Sequence, residues 1–424
     1  MKDSGIEWIG EIPEGWEISP LFSIFKERKQ KNYNLKETNI LSLSYGKIIR
    51  RNTETNMGLL PESFETYNIV DKSNIILRLT DLQNDKTSLR TGLVIERGII
   101  TSAYIALESI NTENVFFHYL LHCYDELKVF YVMGNGVRQN LKFAELSRLP
   151  LLVPPLAEQQ RIADYLDAKC AYIDQCLELT RQSMEKLRAY KLSCITEAVT
   201  KGLDPDVPLK DSGVPWIGKI CEHYEIIKIK YFTDIIRGKF SHRPRNDPRF
   251  YNGEYPFIQT GDIKISNKYI TKYSQTLNDN GFNISRQFPS GTIVMAIAAN
   301  VGDVAILDFD ACFPDSVIGF TNLININKLF FYYTLITLKQ VFIEKSTIST
   351  QLNLNIEIVN EVKIPYPPLP EQERIAAYLD KKCARIDALL EEKQALLDKL
   401  AEYKKSLIFE CVTGKREVPS CWNR

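Results

Sequence analysis

The sequence carries no excess of either charge. Its 53 Lys and Arg are matched by 53 Asp and Glu. A neutral chain does not announce a nucleic-acid partner through its global field, so such a partner has to be sought in local clusters. Long apolar runs are missing. The best, residues 293–299, is far short of the roughly 20 residues a membrane span needs and reads as a buried strand. The start, MKDSGIEWIG, has no basic segment followed by an apolar stretch, so no signal peptide is expected. Nine cysteines form no CxxC pair, which fits free thiols in a reducing cytoplasm. Catalytic signatures are missing too. No GxxxxGK[ST] loop is present, so ATP hydrolysis is not expected of this chain. An adenine methyltransferase would want an Asn/Asp-Pro-Pro-aromatic motif and a glycine-rich cofactor loop. The PPL at Pro154 and Pro367 is neither, and Gly134-Asn135-Gly136 is too short. Asp262-Ile263-Lys264 matches a nuclease-like D-x-K only as a tripeptide that chance supplies often.

What the sequence has is repetition. KDSGIEWIG at residues 2–10 returns as KDSGVPWIG at 210–218. PPLAEQQRIADYLDAKC at 154–170 returns as PPLPEQERIAAYLDKKC at 367–383. Aligned without gaps at an offset of 213, residues 154–201 and 367–414 share 27 identities in 48 positions. Between these edges, 21–150 and 229–363 share little beyond pattern. Like edges around unlike middles suggest one scaffold presenting two different surfaces.

The proline block opens a helix, with acidic and amide residues in the first turn where they suit the dipole. Inward positions then step 4, 3, 4, 3 through Leu166, Cys170, Ile173, Leu177, Thr180, Met184, Leu187, Lys191, Cys194 and Ala198. The second copy gives Leu379, Cys383, Ile386, Leu390, Lys393, Leu397, Leu400, Lys404, Leu407 and Cys411. A 3.5-residue period is a coiled-coil seam. Two helices of about 40 residues, roughly 60 Å long, are expected to pair antiparallel about a pseudo-two-fold axis. The competing reading, that each helix buries its stripe in its own domain, explains the duplication less well. Gly202 and Gly414 stand near the C-caps.

The middles read as mixed α/β. Strands are expected around 39–43, 74–79, 92–95, 255–259, 291–298 and 303–307, and a helix around 114–129 has a counterpart around 327–342. The resulting fold class is α/β (α+β): two globular mixed domains separated by two long paired helices. The segments are 1–20, a repeated N-terminal stretch; 21–150, the first variable domain; 151–203, the first helix; 204–228, a linker with the second W-I-G; 229–365, the second variable domain; and 366–424, the second helix and tail. His118 and His122, at i, i+4 with Cys123 beside them, have zinc-like spacing. Their equivalents are Phe331 and Leu335, so packing is the expected role.

The doubled PPLxEQxRIAxYLDxKCAxID block, following two dissimilar domains each preceded by W-I-G, resembles the DNA-specificity subunit of Type I restriction-modification systems. The resemblance spans essentially the whole chain. It implies that each variable domain is a target recognition domain reading one half of a bipartite, asymmetric DNA site. It implies that the paired helices set the gap and dock two methyltransferase subunits, and that the chain itself is non-catalytic. The assembled complex would use S-adenosylmethionine to methylate adenine, with ATP and magnesium if two restriction subunits are also present; no cofactor or metal is expected in this chain. Two modules reading one face of B-DNA sit about 34 Å apart, a separation that helices of roughly 60 Å can hold.

Local charge agrees. Residues 22–51 hold eight Lys and Arg, among them Lys26, Lys29, Lys47, Arg50 and Arg51, against Glu27 and Glu37. Residues 237–249 hold five, among them Arg237, Lys239, Arg243 and Arg245, against Asp247. Such clusters neutralise phosphates. Base readout needs amide, hydroxyl or guanidinium groups on ordered loops. The candidates are Ser44, Tyr45 and Asn52 beside the first cluster; Arg78 and Gln83; Arg138, Gln139 and Asn140; Gln259, Thr260 and Lys264; and Ser349, Thr350, Gln351 and Asn353. The alternative is a helical assembly protein that recruits partners without reading DNA.

Overall fold

The computed structural model describes residues 1–51, 63–83, 89–110, 112–133, 140–242, 245–348 and 352–419. Asn52, Arg138, Gln139, Arg243, Ser349, Thr350 and Gln351 lie outside the described residues. The chain forms two compact units. One comprises Met1–Thr180 with Ala395–Arg424; the other is Arg181–Gln394. Each unit therefore holds one variable domain, a piece of each long helix and one W-I-G segment.

In the first unit, Glu17–Pro20 pairs antiparallel with Pro150–Val153. This ribbon brings the two ends of the variable segment together, and Leu21 N–H donates to Leu149 O at 2.9 Å. The domain is a four-stranded antiparallel sheet in the order Phe25–Glu27, Ile105–Ser109, Ile75–Leu77, Thr91–Leu93. Beside it lie the ribbon Asn68–Val70/Gly98–Ile100 and the hairpin Leu41–Ser44/Lys47–Arg50. Leu41, Leu43, Ile48, Val70, Ile76 and Ile100 share one apolar core. The helix Asn114–Glu126 buries Phe116, Phe117, Leu120 and Leu121, spaced as one helical face.

In the second unit, Glu225–Lys228 pairs with Lys363–Tyr366 in the equivalent ribbon. The domain it closes is larger. Five strands run in the order Asp234–Arg237, Val317–Thr321, Ile293–Ala296, Val304–Leu307, Tyr269–Ile270, and the last pair is parallel. A second sheet runs Gln275–Leu277, Tyr251–Phe257, Ala311–Cys312, Gln287–Phe288. The apolar run expected as a buried strand is one: Ile293–Ala296 is buried at every position. The helix expected near 327–342 is Lys328–Thr337 followed by Lys339–Lys345.

The two long helices are Leu156–Lys201 and Leu369–Val412, 46 and 44 residues. At 1.5 Å per residue they run about 69 and 66 Å. The start of the first pairs with the end of the second in one unit, and the end of the first with the start of the second in the other, so the pairing is antiparallel. Of the seam positions, Leu166, Ile173, Leu177, Met184, Leu379, Ile386, Leu397 and Leu407 are buried, as are Cys170, Cys383 and Cys411. Leu187, Leu390 and Leu400 are half-buried. These three lie away from the helix ends. Toward the ends the same stripe serves both readings of the sequence, since Leu379 and Cys383 join the core of the second domain as well as the helix seam.

Candidate DNA interface and the contacts that hold it

The repeated edge motifs are contact sets. Gln159, buried, donates from Nε2 to Pro154 O at 2.8 Å and accepts through Oε1 from Glu113 N–H, the N-cap of the domain's helix. Gln372 makes the same two bonds, to Pro367 O at 2.8 Å and from the N-cap Asn327 N–H at 2.8 Å. Each glutamine thus ties the recognition domain to the first turn of a long helix. The neighbouring glutamate ties in the N-terminal segment. Trp16 Nε1 donates to Glu158 at 3.2 Å, and Tyr224 OH donates to Glu371 at 2.6 Å. The C-cap glycines complete the set. Gly202, at φ +72°, leaves no room for a side chain beside Tyr224 and Glu371; Gly414, at φ +70°, leaves none beside Pro13 and Trp16. The motifs are visible in the sequence but their partners are not, since the hydrogen bonds that join them span 45 to 147 residues.

Seam lysines have carboxylate partners. Lys191 meets Asp387 at 2.6 Å in one unit, and Lys404 meets Asp174 at 2.6 Å in the other. Both pairs use positions 213 apart, so the repeat in sequence is a repeat in contacts.

On the first domain, Ser44 and Lys47 pair across a two-residue turn whose Tyr45 and Gly46 have φ of +46° and +79°. Primed turns demand this combination. It projects Tyr45, exposed, and Lys47, exposed, from a rigid tip. Arg50 is held by Glu96, with Nε to Oε1 at 2.5 Å, and the guanidinium keeps that carboxyl below its usual range. Arg51 is half-buried at the strand end and its N–H donates to Ile40 O. Lys26 lies 3.6 Å from Glu108 and Lys29 2.7 Å from Glu27, both with exposed side chains. The loops at Arg78–Gln83 and Asn140 come together. Leu141 N–H donates to Leu79 O at 2.9 Å, and Asn140 Oδ1 accepts from Asp81 N–H at 2.6 Å. Arg78 is half-buried and Gln83 exposed.

The second domain repeats that docking. Leu354 N–H donates to Ile297 O at 2.8 Å, and Asn353, equivalent to Asn140, bridges to Ala298. Arg237 is exposed at the end of the strand Asp234–Arg237 and Lys239 is exposed just past it, while Arg245 is paired with Asp315. Gln259 caps the short helix Thr260–Ile265, which carries Thr260 in its first turn and exposed Lys264 in its last. Asp262, the acid of the D-x-K tripeptide, is buried and accepts from Gln259 N–H at 2.8 Å, a capping role.

His118 and His122 face a cleft of about 730 Å³ in the first unit. Burial pushes the His118 imidazole down to about 3, and its Nδ1 has no hydrogen-bond partner. His122 Nδ1 lies 3.3 Å from Thr91 Oγ1. Among the described residues no group of three or more His, Cys, Asp or Glu is placed to hold a metal. The eight described cysteines are free thiols. No described helix is long and apolar enough to cross a membrane.

Taken together, fold and site define a protein that presents two unlike polar surfaces from one duplicated helical scaffold. The family described as Type I restriction modification DNA specificity domain matches twice, at residues 13–189 and 222–399, and the chain belongs to that family. It is similar to the putative type I restriction enzyme MjaX specificity subunit of Methanocaldococcus jannaschii, 25% identical over 392 residues, covering 88% of this chain and 87% of that one. It is also similar to the type I restriction enzyme MjaVIII specificity subunit of the same organism, 24% identical over 397 residues and covering 87% and 86%. Two solved structures share the fold. One comes from work on assembly and conformational transition of the type I restriction-modification system, with TM-score 0.70, 16% identity and coverage of 96% and 100%. The other is the HsdS subunit from Thermoanaerobacter tengcongensis, with TM-score 0.51, 15% identity and coverage of 98% and 100%. The chain is a specificity subunit, a non-catalytic DNA-recognition component.

Proposed function

We propose that the two recognition domains read the two unlike halves of one asymmetric DNA site, while the paired helices fix the gap and carry two methyltransferase subunits. The observation that carries this reading is the contrast between invariant joints and divergent surfaces. The glutamine and Lys–Asp contacts are the same in both units, and the glutamate contact changes only its donor, Trp16 in one and Tyr224 in the other, while the sequences between these joints differ. A scaffold that only recruited partners would have no use for two different polar faces with basic stretches beside them.

The docking faces are on the helices, away from the seam. Tyr172, Leu179, Leu396 and Tyr403 are exposed in the first unit; Tyr190, Leu192, Tyr378 and Leu389 are exposed in the second. Tyr190 and Tyr403 are equivalent positions. Exposed apolar groups on long helices suit helix-on-helix docking of one methyltransferase subunit per unit. Those subunits would bring S-adenosylmethionine and flip the target adenine. Motor-nuclease subunits, where present, would add ATP and magnesium. The setting is the cytoplasm, where DNA and these partners meet.

The test is binding of the assembled complex to duplex DNA as salt is raised. Specific affinity should fall steeply and log-linearly with salt, yet stay well above that for scrambled duplexes. Equal affinity for all sequences would favour the assembly reading.

A further inference from the structure

The second recognition domain contains a pair of linked glutamine amides that the cap role of Gln259 does not explain. Gln259 lies two residues past the strand Tyr251–Phe257, and Gln275 opens the strand beside it, opposite Phe257. Gln259 Nε2 donates to Gln275 Oε1 at 2.9 Å. A buried carboxylate fixes both segments. Asp262 Oδ2 accepts from Gln259 N–H at 2.8 Å and from Ser274 Oγ–H at 3.2 Å. The pair is thus held from behind while Gln275 is exposed at the front.

Each amide has two donor protons and two acceptor lone pairs. The mutual bond uses one proton and one lone pair. What remains is a row of N–H and C=O groups; turning both amides over reverses their order, but each amide still offers a donor beside an acceptor. A glutamine amide matches the adenine edge in the major groove, accepting from N6–H and donating to N7. A guanine offers two acceptors there, so it leaves the amide oxygen facing a lone pair. The surroundings suit a nucleic-acid edge. Tyr251, Asn252, Tyr273, Ser274, Gln275 and Thr276 line a small cleft of about 180 Å³. The Tyr251 hydroxyl bonds to Arg245 O, which brings the basic stretch to the same place. Lys264 and Lys272, five residues after Gln259 and three before Gln275, are exposed, as phosphate contacts require.

We propose that the Gln259–Gln275 pair is an adenine-reading element of the second recognition domain, pre-oriented by Asp262 and Ser274. The proposal rests on the DNA-reading function above. It predicts one A·T pair in the second half-site whose readout depends on both glutamines. Gln275 is exposed and Gln259 half-buried, and neither belongs to an apolar core, so Gln275→Ala and Gln259→Ala leave the core intact.

The experiment expresses each variant with its methyltransferase subunits in a host lacking both and maps N6-methyladenine across the genome. The expected result is that both variants relax the same A·T position of the second half-site, with discrimination there reduced roughly tenfold or more. The first half-site and the gap stay unchanged. An unchanged motif in both variants, or relaxation in the first half-site, overturns the proposal. Should methylation be lost, the purified complex is titrated against duplexes carrying each base pair at each second-half position. Equal loss for all four bases everywhere overturns it. A wild-type complex that shows no split motif at all is a different failure, that of the DNA-reading function itself.

Discussion

Lys191 Nζ lies 2.6 and 2.7 Å from the two carboxylate oxygens of Asp387, and 213 residues away Asp174 and Lys404 form the same pair at 2.6 Å. Both members of the first pair are less than a third exposed. Removing one partner therefore strands a charge that water solvates incompletely. Lys191→Ala is expected to lower stability by about 1–2 kcal/mol. The exchange Lys191→Asp with Asp387→Lys should recover much of that loss. A double-mutant cycle by urea denaturation measures the coupling, and a value near zero would show the pair to be incidental.

Acid sensitivity should trace in part to His118. Burial pushes its folded value down to about 3, against about 6.5 in an unfolded chain. The folded state refuses a proton that the unfolded state accepts. The contribution is complete above about pH 6.5 and is lost as pH falls toward 3. Between pH 7 and 5 this amounts to about 1–2 kcal/mol. His118→Phe supplies the residue found at the equivalent, fully buried Phe331. It should flatten the stability profile over that window by the same amount. Parallel profiles for variant and wild type would contradict the assignment.

The glutamine joints should be costly to break. Gln372→Leu leaves Pro367 O and Asn327 N–H without the partners they now have. Two buried groups at about 1–2 kcal/mol each give a loss of about 2–4 kcal/mol. Thermal denaturation of the intact chain checks this, and Gln159→Leu should behave alike. A loss below about 0.5 kcal/mol would mean that water replaces the side chain.

Seam and outer face should separate. Leu397→Ala empties a buried seam position and is expected to cost about 2–4 kcal/mol while leaving base preference unchanged. Tyr190→Glu with Tyr403→Glu alters exposed sites, so the chain should stay folded but lose co-purification with methyltransferase subunits. Retained co-purification would move the docking face elsewhere.

Exchange of recognition domains follows from the ribbon geometry. Pro20 stands opposite Pro150, so residues 21–150 leave and return at one place. Replacing them with another recognition domain should change one half-site only, as read from the methylated motif. A change in both halves would contradict modularity.

The helices were legible because period and repetition need no tertiary knowledge: the stripe from Leu166 to Ala198 is visible as spacing, and its buried positions follow it. The strand at Ile293–Ala296 was legible as an apolar run. What the repeats do was not legible. The EQ dipeptide acts on Trp16, Tyr224 and two N-caps, and contacts at separations of 45 to 147 residues leave no local trace. Charge clusters were visible, but not that Arg50 is held by Glu96 and Arg245 by Asp315. Gln275 sits in a three-residue strand with no signature, and only folding brings it to Gln259.

The most direct test of the central claim is a genome-wide map of N6-methyladenine made by this chain with its methyltransferase subunits in a host lacking both. If the two unlike recognition domains read one site, the map shows one split motif, with unlike halves and a constant gap. Methylation at a palindromic or unsplit motif, or none from a complex that assembles, would contradict it.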